Sequence, residues 1–149
     1  MASNYRSGTQ NNIAEKLSQD HARIYAGLTA AMNERGAIGD AAAQLSQLCV
    51  PHFELEEERI WPVFVRLDHV LRDHGHEETG ELGRQLAELR RQHEQFAAEH
   101  RALAFVVDAL AHAAHQEDSG QTLALTEMIR NHEAFEDQWI WIAANQRLL

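Results

Sequence analysis

Residues 82–114 read LGRQLAELRRQHEQFAAEHRALAFVVDALAHAA, and this stretch decides the fold. Leu82, Leu86, Leu89, His93, Phe96, His100, Leu103, Val107, Leu110 and Ala114 recur at alternating intervals of four and three residues. That is the period of an α-helix burying one stripe, kept without a break. A seam this long needs partners of similar length, which makes the chain a helix bundle.

Working outward, the same spacing recurs on both sides. Upstream, a helix is expected from about Asn12 to Glu34, with Ile13, Leu17, His21, Ile24, Leu28 and Ala31 inward, ended by Gly36 and Gly39. Asp40 fits the N-cap of a second helix that turns Leu45, Leu48, His52, Leu55 or Glu56, and Val63 inward and stops near Arg72. Pro51 and Pro62 each remove a backbone bond inside it and should bend it. DHGHEETG, residues 73–80, is the expected loop before the stretch quoted above. After the turn QEDSG, a fourth helix presents Leu125, Met128, His132, Phe135, Trp139 and Ile142 on one face. Short connections make neighbours antiparallel, so the expected fold is all-α, an up-down-up-down antiparallel four-helix bundle.

At 149 residues the chain is the size of one domain, read as a single bundle over 12–149 preceded by a flexible polar tail over 1–11. No apolar run approaches the roughly 18 residues of a membrane helix. The first dozen residues, MASNYRSGTQNN, lack the apolar centre of a secretory signal. The lone Cys49 excludes an internal disulfide framework and is read as a small core residue. A net charge of −10 with no Lys/Arg cluster opposes nucleic-acid or anionic-lipid partners. A cytoplasmic location follows as the expectation.

Ten histidines are many for so short a chain, and His is the commonest protein ligand for transition metals. Each helix sets at least one in its apolar stripe where a leucine would otherwise sit: His21, His52, His93 or His100, and His132. Burying an imidazole without partners costs roughly 2 kcal/mol or more, so repeated exchange of Leu for His needs a compensating interaction, which a shared metal supplies. His52 in HFELEEE and His132 in HEAFED are each followed at i+4 by a carboxylate, Glu56 and Glu136. That spacing puts both side chains on one face, close enough to ligate one metal or to let the carboxylate bridge two. One core histidine is more often an ordinary interior residue; the joint pattern reverses that reading.

An internal repeat strengthens it. DHARIYAGL at Asp20–Leu28 resembles EHRALAFVV at Glu99–Val107, and each precedes a His-x-x-x-Glu. The interval from His21 to His52 is 31 residues (52 − 21) and that from His100 to His132 is 32 (132 − 100). The halves therefore superimpose as helical hairpins, each donating one lone His and one His/Glu pair. Reflecting His21 through the Gly36–Gly39 turn lands between His52 and Glu56. Reflections of the two His/Glu pairs onto the third helix bracket His100. His93 lies one heptad away, about 10.5 Å along the axis, so the two cannot serve one ion. His100 is read as the ligand and His93 as its supporting neighbour or the alternative.

With these residues in view, the chain after its first eleven residues resembles the hemerythrin-like family, the His-His-Glu cation-binding domains. LCVPHFELEEERIWPVF is similar to the family's second-helix signature, in which His-x-x-x-Glu-Glu is followed by an aromatic and a proline. TEMIRNHEAFEDQWIWIA repeats that signature with Trp-Ile in place of the proline, and DHARI and EHRAL are similar to the lone-histidine helices. The resemblance implies a non-haem iron centre, two Fe bridged by Glu56 and Glu136, with His21, His52, His100 and His132 as nitrogen ligands.

The chain departs from the oxygen-carrying members, whose third helix offers two histidines at i,i+4, because Ala104 follows His100 and Ala97 follows His93 at that distance. Four histidines leave a further coordination position, which points away from reversible oxygen carriage. Binding or sensing a small diatomic ligand such as oxygen or nitric oxide, or iron handling, is the expected role. A redox enzyme acting on peroxide or nitric oxide, or an iron donor, is the alternative; a metal-free helical interaction module is the third reading. No Glu stands three residues before any His, unlike the ferritin-like bundles. Asp137, at i+5 from His132, is turned about 140° away on an ideal helix, which favours Glu136. His69, His74, His76, His112 and His115 are read as solvated imidazoles. Trp61, Trp139, Trp141 and Tyr25 are read as packing residues, and Glu57 and Glu58 as a solvated face.

Overall fold

Stripes of apolar residues four and three apart produce helix throughout. The computed structural model describes residues 2–73 and 79–146, with side chains described for 13–72 and 80–146. Among the described residues every regular element is helical: α1 (Ala2–Met32), α2 (Ala37–Leu55), a π-helical turn (Glu56–Ile60), α3 (Trp61–Asp73), α4 (Thr79–Gln116) and α5 (Gly120–Asn145). α2, the π turn and α3 follow one another directly, so four rods pack together. α1 lies against α2, α3 and α5, and α4 lies against the same three. No described helix is long and apolar enough to cross a membrane.

The stripe on α1 falls as its spacing dictates, with Ile13, Leu17, His21, Ile24, Leu28 and Ala31 all buried. α1 itself begins at Ala2, ahead of the expected start near Asn12. The first eleven residues hold no proline, so nothing blocks helix propagation from the anchored part. On α4 the whole expected seam is buried except His93, which is half-buried.

Three expectations need correcting. Asp40 does not cap α2: its N–H already bonds the Gly36 carbonyl at 3.1 Å, and the helix starts at Ala37. Gly36 makes the turn, with φ of 86°, a conformation that disfavours a side chain. Leu48 is 41% exposed, and Cys49 takes the inward place between Leu45 and Phe53. On α5 the buried set is Thr122, Leu125, Thr126, Ile129, His132, Glu136, Ile140 and Ala143, while Met128, Phe135, Trp139 and Ile142 flank it half-buried. An apolar stripe is wide enough to hold either row, and the row containing Glu136 is the one that turns inward.

The expected bend has a particular form. The helix runs through Pro51 without interruption, and the irregularity lies just before Pro62, where the Trp61 N–H bonds the Glu56 carbonyl five residues back. Pro62 has no N–H to hold the next α-helical bond, so the chain accommodates one extra residue per turn there. Glu56 opens that turn and is buried, while Glu57 beside it still reaches the interior from a side chain 44% exposed. The loop expected at 73–80 lies chiefly on residues 74–78, outside the described residues, and Thr79 and Gly80 already belong to α4.

Two apolar clusters fill the interior. One gathers Ile24, Leu28, Leu45, Phe53, Leu103, Leu110, Leu125 and Ile129 with their neighbours. The other gathers Leu17, Trp61, Phe64, Leu67, Leu82, Leu86, Phe96 and Ile140 with theirs. Each fully buried leucine contributes roughly 1.5–3 kcal/mol. On every rod a buried histidine marks the boundary: His21 between Leu17 and Ile24, His52 beside Phe53 ahead of Ile60, His100 between Phe96 and Leu103, His132 between Ile129 and Ile140.

Candidate metal centre

The polar layer between the clusters resolves into two groups of four donors. The first, position A, comprises His21, Glu56, His132 and Glu136; the second, position B, comprises His52, Glu56, His100 and Glu133. Within each group the donor atoms lie within 4.8 Å of one another, and Glu56 belongs to both. In position A, His21 Nε2 is 2.9 Å from His132 Nε2 and 3.5 Å from Glu56 Oε2. Glu136 closes on His132 one turn away. In position B, His52 Nε2 is 3.1 Å from His100 Nε2, and Glu133 Oε2 is 2.9 Å from His100 Nε2. Glu56 closes on His52 through its other oxygen, Oε1.

The far nitrogen of every ring is tied to an acid. His21 Nδ1 donates to Glu57 at 3.0 Å, His52 to Glu99 at 3.0 Å, His100 to Asp137 at 2.6 Å and His132 to Asp20 at 3.1 Å. A carboxylate only accepts, so the ring proton sits on Nδ1 and, in a neutral ring, Nε2 presents a bare lone pair. Two such lone pairs face one another in each position, with carboxylates beside them. All six carboxylate oxygens of Glu56, Glu133 and Glu136 that complete the layer are buried without a hydrogen bond, apart from their close approaches to imidazoles. Buried anions and facing lone pairs repel unless something positive lies between them.

Without a metal, protons must do this. Burial opposes a charged His100, but the contacts with Asp137 and Glu133 outweigh it and push its pKa up to about 11. Burial likewise opposes a charged His132, yet Glu136, Glu56 and Asp20 raise it to about 10. His52 is raised by Glu56 and Glu133 against the same burial cost. Burial, then the neighbouring Glu56, drives Glu136 well above the usual carboxylate range. Burial also works to raise Glu56, but its contacts with Glu136 and three histidines hold it low.

The donor set fits a pair of divalent transition-metal ions. Two nitrogens bound to one ion at about 2.1 Å and a right angle stand about 3.0 Å apart, and the two facing Nε2 pairs are 2.9 and 3.1 Å apart. The hydrogen bond from each Nδ1 to a carboxylate is the arrangement that orients metal-binding imidazoles and raises their basicity. Glu56, presenting one oxygen to each group, is placed to bridge.

The structure thus brings His21, His52, Glu56, His100, His132 and Glu136 together at one level. Glu136 belongs to position A alone, so of the two carboxylates expected to bridge, only Glu56 spans both groups. His93 joins neither group and instead lines a cleft of about 420 Å³ between α4 and α5, with Phe96, His100, Arg101, Asp137 and Trp141. A second cleft of about 420 Å³ between α2 and α4 is lined by Leu48, Pro51, His52, Glu99 and Leu103. Glu57 is more than a solvated face, because it holds His21.

Glu133 could not be picked out by its spacing from a histidine, because it follows His132 directly and its partner, His100, lies on another rod. Its signal was its place three residues before Glu136, on the same helical face. The four supporting acids also had a signal. Asp20-His21 and Glu99-His100 are matched dipeptides, as are Glu56-Glu57 and Glu136-Asp137. Compared with family models, curated proteins and solved structures, the chain finds no match.

Proposed function

We propose that this chain is a hemerythrin-like, up-down-up-down four-helix bundle that binds two iron ions between its rods and uses them to bind or sense a small diatomic ligand, oxygen or nitric oxide. The observation that carries this reading is the convergence of four imidazole Nε2 atoms and the carboxylates of Glu133 and Glu136 on the shared Glu56, with every Nδ1 held by an acid. The antiparallel arrangement is supported by the order in which each rod meets the two apolar clusters. That order reverses from α1 to α2–α3, again to α4 and again to α5.

Bound iron would supply a redox-active Lewis acid. The protein's own residues orient it, exclude bulk water with Phe53, Leu103, Ile129 and Phe96, and keep the Nδ1 protons in place. Two histidines and two carboxylates per position leave room for an exogenous ligand on an ion of ordinary six-fold coordination. The acidic surface suits neither nucleic acid nor anionic lipid, and the cytoplasm, where Cys49 stays reduced, is the proposed compartment.

The test is elemental analysis with an optical spectrum on protein expressed in iron-sufficient medium. Near two iron per chain and a ferric carboxylate-bridged absorption that responds to nitric oxide are expected; absence of iron would end the proposal. A second reading, a redox enzyme turning over peroxide or nitric oxide or an iron donor, draws on the cleft beside His100, whose walls carry the ionisable His93 and Arg101. Steady-state turnover of peroxide, or iron release to an acceptor, would favour it. A metal-free interaction module is the reading left if His52→Ala with His132→Ala changes no metal content.

A further inference from the structure

The two donor groups are chemically alike but unequally shielded. In position A, His21 is 2% and His132 1% exposed, and Glu136 is fully buried. Phe53 stacks on the His21 ring at 3.8 Å, Trp61 tilts against it at 4.4 Å, and Tyr25 meets its edge at 6.1 Å. In position B, His52 and His100 are 6% and 8% exposed, and the Glu133 side chain 13%. The acids behind position B also lie further out than their counterparts. Asp137 is 59% exposed against 44% for Glu57, and Glu99 is 35% exposed against 15% for Asp20. Both clefts described above end on position B, one at His100 and the other at His52.

Resting on the reading of a metal pair, we infer that the two positions exchange metal separately. Position A retains its ion behind the aromatic wall, while position B, reached along α4, gains and loses its ion as the free metal concentration changes. An ion leaves by replacing protein donors with water, one after another, so the rate depends on how easily solvent reaches those donors. At position B water reaches His100 beside Asp137 and His52 beside Glu99. At position A the corresponding path is filled by Phe53, Trp61 and Tyr25. The chain would then pass between one-ion and two-ion states, a graded report of iron supply.

The experiment loads the full chain with ferrous iron without oxygen, then adds excess chromophoric chelator and follows release. Two phases of equal amplitude are expected, separated by roughly tenfold or more, the scale on which changes around a metal's ligands alter its hold. Glu133→Gln should accelerate the fast phase alone, and Ala104→Trp, which fills the α4–α5 cleft, should slow it alone. Release of both ions at one rate, or acceleration of the slow phase by Glu133→Gln, overturns the inference and leaves the metal pair intact. A wild-type chain that takes up no iron overturns both.

Discussion

Residues 20–57, the first half, and residues 99–137, the second half, carry the same parts in the same order, yet neither builds a position alone. Position A takes His21 from the first and His132 and Glu136 from the second; position B takes His52 from the first and His100 and Glu133 from the second. The supporting acids follow the repeat as well. Asp20 of the first half holds His132 of the second, and Glu99 of the second holds His52 of the first. Glu57 and Asp137 hold the lone histidines, each within its own half. The match breaks where Phe53 follows His52 but Glu133 follows His132. Phe53 stacks on a ring of position A, whereas Glu133 adds a donor to position B. A repeat can supply a balanced donor set, and a single residue inside it then makes the two positions unequal.

The largest test of that comparison is Glu56→Gln. Glu56 is common to both groups, so its loss should empty both, with a fall in affinity beyond the roughly 10–100-fold of a supporting residue; iron retained at one position would show that it does not bridge. Next, Glu133→Gln and Glu136→Gln should each loosen one of the two ions, at B and A respectively, since each donor belongs to one group. Loss of both ions in either variant, measured by elemental analysis, would mean the positions act as one. A smaller effect, roughly 10–100-fold in affinity at a single position, is expected from Asp137→Asn at B and Asp20→Asn at A. Metal titration of the two variants should show one weakened step each; two weakened steps in either would break the pairing of acids with positions.

The smallest predicted effect concerns pH. In the ion-free chain His100 and His132 are raised to about 11 and about 10, against about 6.5 for an unfolded imidazole. Their protonation therefore stabilises the ion-free fold fully below about pH 6.5, and that contribution fades as pH rises toward those folded-state values. An ion at either position must displace protons, so the rise in Tm on adding ferrous iron should be larger at about pH 8 than at about pH 6. An equal rise at both, by calorimetry, would show that protons and metal do not compete.

The rods and most of the donors could be read in the sequence because both follow helical arithmetic. The unbroken spacing from Leu82 to Ala114 specified α4, and the placement of His21, His52, His100 and His132 in apolar stripes located the polar layer. What escaped depended on rotations smaller than the period resolves. Leu48 and Cys49 compete for one inward place, and packing gave it to Cys49. Ile129 and Ile140 displaced Met128 and Trp139 from the centre of the α5 seam by a similar rotation. The π turn that opens at Glu56 could not be foreseen beyond a proline-induced bend. Glu133 and the supporting acids depend on contacts between rods, which spacing along one rod does not report.

Anomalous diffraction at the iron edge, from crystals of protein purified with its iron, tests the central claim most directly. The account predicts two peaks on either side of the Glu56 carboxylate, one among His21, His132 and Glu136 and the other among His52, His100 and Glu133. No peak in that layer, or iron held elsewhere on the chain, would contradict it.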